Sequence, residues 1–316
     1  MGLLNKDRIR IAILQGGVSG EREISFLSAQ QVYVSCRHLG LDAVPVTIDT
    51  RDAKEIERLL IDQGIEFAFI ALHGEFGEDG SIQKILDGIG IPYTGSGAAA
   101  SYLAMDKIAS KELFLTHGIP TPDFTIVERK NLSVKVDCYP KVIKPHFGGS
   151  SQGIHIVHNI GELKEALADA ASFSERVLIE QYIEGTEYTV GILDEQPLGV
   201  VQIVPRNGWY DFTAKYADDM TDFIAPAPLE KKLYRQVQEY AQKAHTTLGC
   251  RHFSRVDLRL DVQMRPYVLE VNSIPGLTSH SLLPLSARCD NIGFDELMRR
   301  MIELALRDTF KIKAGR

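Results

Sequence analysis

Ser254-Arg255-Val256-Asp257-Leu258-Arg259-Leu260-Asp261 and Pro266-Tyr267-Val268-Leu269-Glu270-Val271-Asn272 are two runs in which apolar and polar residues alternate, separated by Val262–Arg265. A period of two is that of a β-strand with unlike faces, and the short break predicts a hairpin. With Val262–Arg265 as a four-residue turn, Asp261 pairs with Pro266. Counting outward sets Asp257 opposite Glu270 and Arg255 opposite Asn272, with all four polar side chains on one side of the ribbon. Two carboxylates opposite each other repel. A divalent cation between them removes that cost. An oxygen-only set of two carboxylates and an amide suits Mg²⁺, which commonly joins protein carboxylates to nucleotide phosphates. A charged, solvated face is the plainer reading of the same residues.

At 316 residues the chain is too long for one small core, and two or three domains are expected. A hydrophobic fraction of 44 % with 24 % charged residues is that of an ordinary soluble globular protein. A net charge of −7 gives no support to electrostatic nucleic-acid binding. No apolar run is long enough to span a bilayer and Met1–Arg10 lacks a signal-peptide core, so the expectation is a cytoplasmic protein with no membrane partner. Cys36, Cys138, Cys250 and Cys289 are widely spaced and form no CxxC pair, which reads as reduced thiols rather than a disulfide or zinc framework.

The first third alternates strand and helix patterns: a strand near Ile9–Leu14, a helix from about Glu21 to Leu39, a strand at Ala43–Ile48, a helix over Ala53–Asp62, a strand at Phe67–Leu72 and a helix near Ser81–Gly88. That order implies a parallel sheet with ligands at the carboxyl ends of its strands, where the turns Gly16–Glu23 and His73–Gly80 fall. A smaller middle segment has helices at Asp106–His117 and Ile160–Ala170, with strands at Phe124–Val127, Lys141–Lys144, Gly153–Val157 and Val177–Tyr182. The last third carries strands Tyr188–Leu193 and Gly199–Val204, a polar aromatic stretch, a long helix Leu229–Leu248, the hairpin, a loop at Ser273–Pro284 and a closing helix Phe294–Thr309. The fold class expected from this order is α/β, α+β in parts.

Three further segments carry chemistry. Lys144–Gly153 (KPHFGGSSQG) lies between two strands, where glycines let backbone N–H groups approach phosphate oxygens and a lysine adds a point charge. It is not a Walker A loop, and a glycine-rich turn with an incidental lysine reads equally well. Glu180–Glu187 puts acids at a domain junction, able to accept hydrogen bonds from ribose hydroxyls or an adenine amino group, or to serve as a polar linker. Glu21 and Glu23 stand in the first turn of a helix; helix capping explains them, and the functional alternative is that Glu21 holds a substrate ammonium.

Taken in order, GGxSxEREIS at Gly16–Ser25, HGxxGEDG at His73–Gly80, YTGSG at Tyr93–Gly97, MDK at Met105–Lys107, KPxxxGSSxG at Lys144–Gly153, YDxxxKY at Tyr210–Tyr216, RxD at Arg255–Asp257 and ExNxxPGxTxHSLxP at Glu270–Pro284 resemble the D-alanine–D-alanine ligases, a branch of the ATP-grasp superfamily. The resemblance covers nearly the whole chain. It implies a three-domain ATP-grasp architecture: an N-terminal parallel α/β substrate-binding domain (1–103), a central ATP-grasp subdomain (104–187) and a C-terminal catalytic domain (188–316) with a lid at 206–222.

The resemblance also implies roles. Lys107, Lys144 and Lys215 look like phosphate contacts of ATP; Glu180 and Glu187 match adenine and ribose contacts, with Gln181 and Ile183 offering backbone groups to adenine. Asp257, Glu270 and Asn272 match ligands of Mg²⁺, typically two ions, with Mn²⁺ as an alternative. Glu21 matches the residue holding the first D-alanine's ammonium, Ser150 and Tyr216 its hydrogen-bonded partners, and His73 a histidine beside that substrate. Arg255 and the Gly276 N–H would stabilise an oxyanion, and Ser281 and Leu282 would meet the second D-alanine's carboxylate. The implied reaction joins two D-alanines for peptidoglycan precursors through a D-alanyl phosphate, in a homodimer. Tyr182 departs from the tryptophan of many relatives, and His146-Phe147-Gly148 from a more charged loop; neither removes a proposed catalytic group. Competing readings are a D-alanine–D-lactate ligase, against which Tyr216 argues, and a nucleotide-binding regulatory protein without turnover, against which the full metal and oxyanion set argues.

Overall fold

The structure, a computed structural model, describes residues 9–206, 220–278 and 281–314. It is a mixed α/β chain built on three sheets. The first third gives β1 (Ile11–Gly16), α1 (Arg22–His38), β2 (Ala43–Ile48), α2 (Ala53–Asp62), β3 (Phe67–Ile70), α3 (Ser81–Ile89) and α4 (Ala98–Met105). The strands form a parallel sheet in the order β2-β1-β3. Ile11–Leu14 and Phe67–Ile70 are buried without a break, as a parallel sheet covered on both faces requires. The carboxyl ends of β1 and β3 lead into Gly17–Glu21 and His73–Gly80, so the two turns expected at one edge of the sheet do share it.

The middle third has α5 (Lys107–Thr116), β4 (Phe124–Glu128), β5 (Lys141–Pro145), β6 (His155–Val157), α6 (Ile160–Phe173) and β7 (Arg176–Gln181). Its strands form an antiparallel sheet in the order β4-β7-β5-β6. Leu163, Ala166, Leu167 and Ala170 of α6 pack on Ile143, Val177 and Ile179. Alternation then turns Lys144 and Glu180 to the opposite face.

The last third contains β8 (Gly185–Leu193), β9 (Gln196–Pro205), β10 (Thr221–Ile224), α7 (Lys231–Thr247), β11 (Phe253–Asp261), β12 (Pro266–Asn272), α8 (Leu282–Cys289) and α9 (Phe294–Ala314). The order β10-β9-β8-β11-β12 is antiparallel throughout. Val237, Ala241 and Ala244 of α7 cover Val190, Val200, Val256, Leu258 and Val268. Helix α9 returns to the N-terminal sheet, where Leu297, Met298 and Met301 share a core with Ile11, Ile13, Phe67 and Phe69.

Three elements differ from the sequence expectation. Residues Leu282–Cys289 form α8 instead of continuing the loop; Pro284 lies in the first turn of a helix, where the missing N–H costs nothing. Ala98–Met105 and Thr221–Ile224 add α4 and β10. The boundary expected between residues 187 and 188 lies inside β8.

The hairpin carries the most informative difference. Leu260, not Asp261, pairs with Pro266, so the connection is one residue longer than expected. A register shift after Asp257 then restores the predicted partners, Asp257 with Glu270 and Arg255 with Asn272. Leu269 is the extra residue of a bulge. It lets Val268 and Val271, three apart in sequence, both reach the core at 0 % and 3 % exposure.

Candidate active site

On the face of the hairpin turned away from α7, Arg255 forks onto Asp257, with Nε donating to Oδ1 at 2.9 Å and Nη2 to Oδ2 at 2.8 Å. Thr189 Oγ1 donates to Oδ1 at 2.6 Å and Asn272 Nδ2 to Oδ2 at 3.0 Å. Facing it, Glu270 Oε2 lies 3.4 Å from Lys107 Nζ, which also donates to the Gly148 carbonyl at 2.7 Å. Each of the two opposed carboxylates therefore has a cation of the protein's own. Among the described residues no cluster of three or more His, Cys, Asp or Glu side chains could hold a metal. A metal held here would draw on Asp257, Glu270 and the amide oxygen of Asn272, whose N/O orientation is exchangeable, and complete its shell with phosphate oxygens and water. That oxygen-only set fits Mg²⁺.

A second hollow lies between the central and C-terminal sheets, lined by Val142, Lys144, Glu180, Ile183, Glu187 and Leu269. Glu180 is 1 % exposed. Its Oε2 lies 2.7 Å from Lys144 Nζ and its Oε1 3.1 Å from Lys111 Nζ. Burial alone would raise its pKa, but the two lysines hold the carboxyl below its usual range. Burial is likewise offset at Lys144, where Glu180 raises the pKa; at Lys111 burial wins and pulls the ammonium down to about 8. The Glu180 carboxylate thus lies between two lysines and also lines this hollow, with no hydrogen bond made at Oε1. The Gln181 N–H donates to Asp123 O at 2.8 Å, so any backbone contact from Gln181 is through its carbonyl. Arg259, unanticipated from sequence, stacks its guanidinium 5.2 Å from the Tyr182 ring and lies 3.9 Å from Glu187.

A cleft of about 390 Å³ joins all three sheets' loops and is lined by Glu21, Gly74, Lys107, Gly149, Ser150 and Glu270 among others. Glu21 occupies the N-cap of α1 but makes no side-chain cap hydrogen bond. Its Oε1 instead lies 2.9 Å from where a Cβ on Gly74 would stand and 3.4 Å from that of Gly149. Gly74, at φ +71°, is therefore needed both for its backbone and for the space. Ser150 and Ser151 hold left-handed conformations at φ 50° and 57°, a costly backbone that the tight loop imposes.

His73 is 3 % exposed and sits behind the cleft wall. Its Nδ1 is 3.1 Å from Glu78 Oε1 and its Nε2 2.9 Å from Ser28 Oγ, which accepts the Leu277 N–H at 3.3 Å. This chain ties the first third to the Gly276 loop. Ser281 Oγ accepts the Thr278 N–H at 2.9 Å and lies 2.9 Å from where a Gly276 Cβ would stand. Ser281 and Leu282 open α8, whose N-terminal N–H groups favour an anion. Lys215 and Tyr216 lie outside the described residues, as does most of 206–222.

Family models for the D-ala D-ala ligase C-terminus and N-terminus match residues 113–303 and 50–96. A D-alanine–D-alanine ligase of Syntrophotalea carbinolica is 42 % identical over 93 % of this chain and 95 % of that protein. One of Pelobacter propionicus is 45 % identical over 93 % of this chain and 94 % of its own. The crystal structure of the Bacillus anthracis D-alanine–D-alanine ligase complexed with ATP superposes with a TM-score of 0.84 at 31 % identity, covering 96 % of this chain and 99 % of that one.

Proposed function

We propose, because this chain belongs to the D-alanine–D-alanine ligase family, that it joins two D-alanines to D-alanyl-D-alanine with cleavage of ATP to ADP and phosphate. It is an ATP-dependent ligase of ATP-grasp fold, in a family whose role is to supply peptidoglycan precursors.

The observation that carries the reading is convergence: Glu270 of the hairpin, the Gly148–Ser151 loop and Glu21 border one cleft, with Lys107 held against the first two. A carboxylate is a poor electrophile, so the first D-alanine is activated as a D-alanyl phosphate. Lys107, Lys144 and Lys215 bind the nucleotide phosphates, and Glu180, Gln181, Ile183 and Glu187 the adenosine. Asp257, Glu270 and Asn272 hold Mg²⁺, which supplies charge neutralisation at the phosphoryl group. Glu21 fixes the first D-alanine's ammonium, supported by Ser150 and Tyr216; His73 acts from behind, through Ser28, on the loop bearing Gly276. The second D-alanine docks its carboxylate at the N-terminus of α8, on Ser281 and Leu282. Its amine attacks the acyl carbon and phosphate leaves, while Arg255 and the Gly276 N–H receive the tetrahedral oxygen's charge. Water must be kept out, and residues 206–222 form the lid that does so.

The units 1–103, 104–187 and 188–316 divide first substrate, nucleotide and catalysis among them. A homodimer and a cytoplasmic setting, where ATP and D-alanine meet, belong to the same proposal; no described helix is long and apolar enough to cross a membrane. Mass spectrometry of products from ATP, Mg²⁺ and a panel of D- and L-amino acids with D-lactate tests it. D-alanyl-D-alanine with ADP is expected. D-alanyl-D-lactate as the main product, or no D-alanine-dependent phosphate release, would establish the competing readings.

A further inference from the structure

Lys111 is fully buried at 0 % exposure, on α5 one turn beyond Lys107. Its Nζ lies 3.1 Å from Glu180 Oε1, donates to Thr121 Oγ1 at 2.6 Å and Pro122 O at 3.5 Å, and sits 5.6 Å from the Phe124 ring. It therefore cannot touch a ligand in the cleft. The cluster it completes has two cations, Lys111 and Lys144, on one carboxylate. An unbalanced charge sealed from water is costly, and apolar packing at Lys111 would hold the fold at least as well. The remaining positive charge faces the hollow: the Lys144 side chain is 12 % exposed and lines the space between the two sheets, where Glu270 and Glu187 also act on it.

We propose that Lys111 is a positioning residue of the nucleotide site: by occupying one oxygen of Glu180, it stops that carboxylate from neutralising Lys144 and leaves the Lys144 charge directed at the nucleotide. Glu180 divides its oxygens, Oε1 to Lys111 and Oε2 to Lys144. Without Lys111 both oxygens turn to Lys144, and the pair is neutral toward phosphate. The arrangement is also fixed to the metal face. Thr121 Oγ1, which accepts from Lys111, donates to Val268 O at 2.8 Å, and Val268 N–H donates to Pro120 O at 2.8 Å. Val268 lies just before the bulge that aims Glu270. One turn of α5 thus sets Lys107 against Glu270 and Lys111 against Glu180.

The proposal rests on the pocket being the nucleotide site, and ATP titration calorimetry on the full chain with Mg²⁺ separates the two. Wild type should bind ATP; failure to do so overturns the site reading and this proposal together. Lys111→Met should weaken ATP binding about tenfold, the worth of one charge-assisted contact, with kcat at saturating ATP little changed. Its melting temperature should change little, since Glu180 keeps Lys144 as its partner at 2.7 Å. Lys111→Gln, which keeps hydrogen bonding and drops the charge, carries the same affinity expectation should the methionine variant not fold. The double variant Lys111→Met/Glu180→Gln should recover most of the lost affinity, because Lys144 again carries an uncancelled charge. Affinity within twofold of wild type in the single variants, or a double variant no tighter than Lys111→Met, makes Lys111 a packing residue and overturns the proposal.

Discussion

Lys107 and Lys111 leave the same helix one turn apart and each reaches a glutamate of a different sheet, yet the two pairs are unlike. Lys107 and Glu270 stand 3.4 Å apart at the cleft, with the glutamate side chain 26 % exposed. Lys111 and Glu180 stand 3.1 Å apart with both side chains sealed, at 0 % and 1 %. The first contact is one that an entering cation can replace, because water and the cleft already share the carboxylate. The second is permanent, because separating it strands charge in a dry interior. The two glutamates, equal in chemistry, are thereby sorted by burial into a ligand-facing role and a scaffold role.

The largest effect should fall on the open acid. Glu270→Gln removes one charge from the cation site and changes shape little, so dipeptide synthesis should drop by roughly 10²–10³-fold, as when one electrostatic group of a transition-state site is removed. Unfolding free energy should change by less than about 1 kcal/mol, the ceiling for a part-exposed ion pair. Asp257→Asn should behave alike in turnover. Near-wild-type turnover at saturating Mg²⁺ in either variant would break the metal assignment.

The sealed acid should show the reverse order of consequences. Glu180→Gln leaves Lys111 and Lys144 facing each other without their shared anion, and denaturant unfolding should report a loss of about 3–5 kcal/mol. A loss below about 1 kcal/mol would show that the central sheet tolerates the bare lysines, and the open/sealed distinction would collapse.

How much of this was readable in the chain depends on whether the signal is periodic. Strands and helices of the first third follow from short apolar runs and helical patterns, and the parallel sheet β2-β1-β3 follows from their order. The site pairing Asp257–Glu270 was readable too, but through two offsets that cancel, a longer turn and a bulge at Leu269. The warning was present in Val268 and Val271: two core valines three apart cannot share a face of a regular strand. Helix α8 escaped because Pro284 reads as a breaker until its place in the first turn is known. Lys111 and Arg259 escaped for a different reason. A lysine on a helix and an arginine on a strand normally mark solvated faces, and only the packing of α5 on the central sheet and of β11 beside Tyr182 turns them inward.

Sealing without a sufficient counter-charge should also appear as acid lability. His245 is buried with Nδ1 2.6 Å from Ser254 Oγ and no partner at Nε2. His252 accepts the Gly95 N–H at 3.1 Å and meets Asp308 at 3.1 Å, with Arg251 and Arg307 opposing that acid. Burial first, then neighbouring positive charge, lowers both imidazoles from 6.5 to about 4. The unfolded chain therefore takes up protons below pH 6.5 that the folded chain refuses until about pH 4. Stability is full above that window and falls as pH drops through it, by at most roughly 3 kcal/mol per histidine. Denaturant unfolding from pH 7 to 4 should show the decline, and His245→Asn should flatten it by about half. An unchanged slope in the variant would show that His245 is not among the groups refusing the proton.

The smallest effect concerns another acid of the cleft, Glu21, where the open/sealed contrast meets the oldest explanation for an acid at a helix start. A carboxylate at the N-cap normally bonds backbone N–H groups, and losing that cap costs about 1 kcal/mol. Here no such bond is made; the carboxylate instead lies against Gly74 and Gly149, on the cleft side. Glu21→Gln keeps size and hydrogen-bonding capacity and deletes only charge. If Glu21 reads the first D-alanine's ammonium, its KM should rise about tenfold, one charge-assisted hydrogen bond, with a smaller change for ATP and a melting temperature near wild type. If it serves α1 instead, the melting temperature should fall and both KM values move together. The split between the two substrates is therefore the decisive reading. A helix-cap defect has no means of distinguishing D-alanine from ATP, whereas a missing carboxylate in the cleft acts on the only one of the two that brings an ammonium.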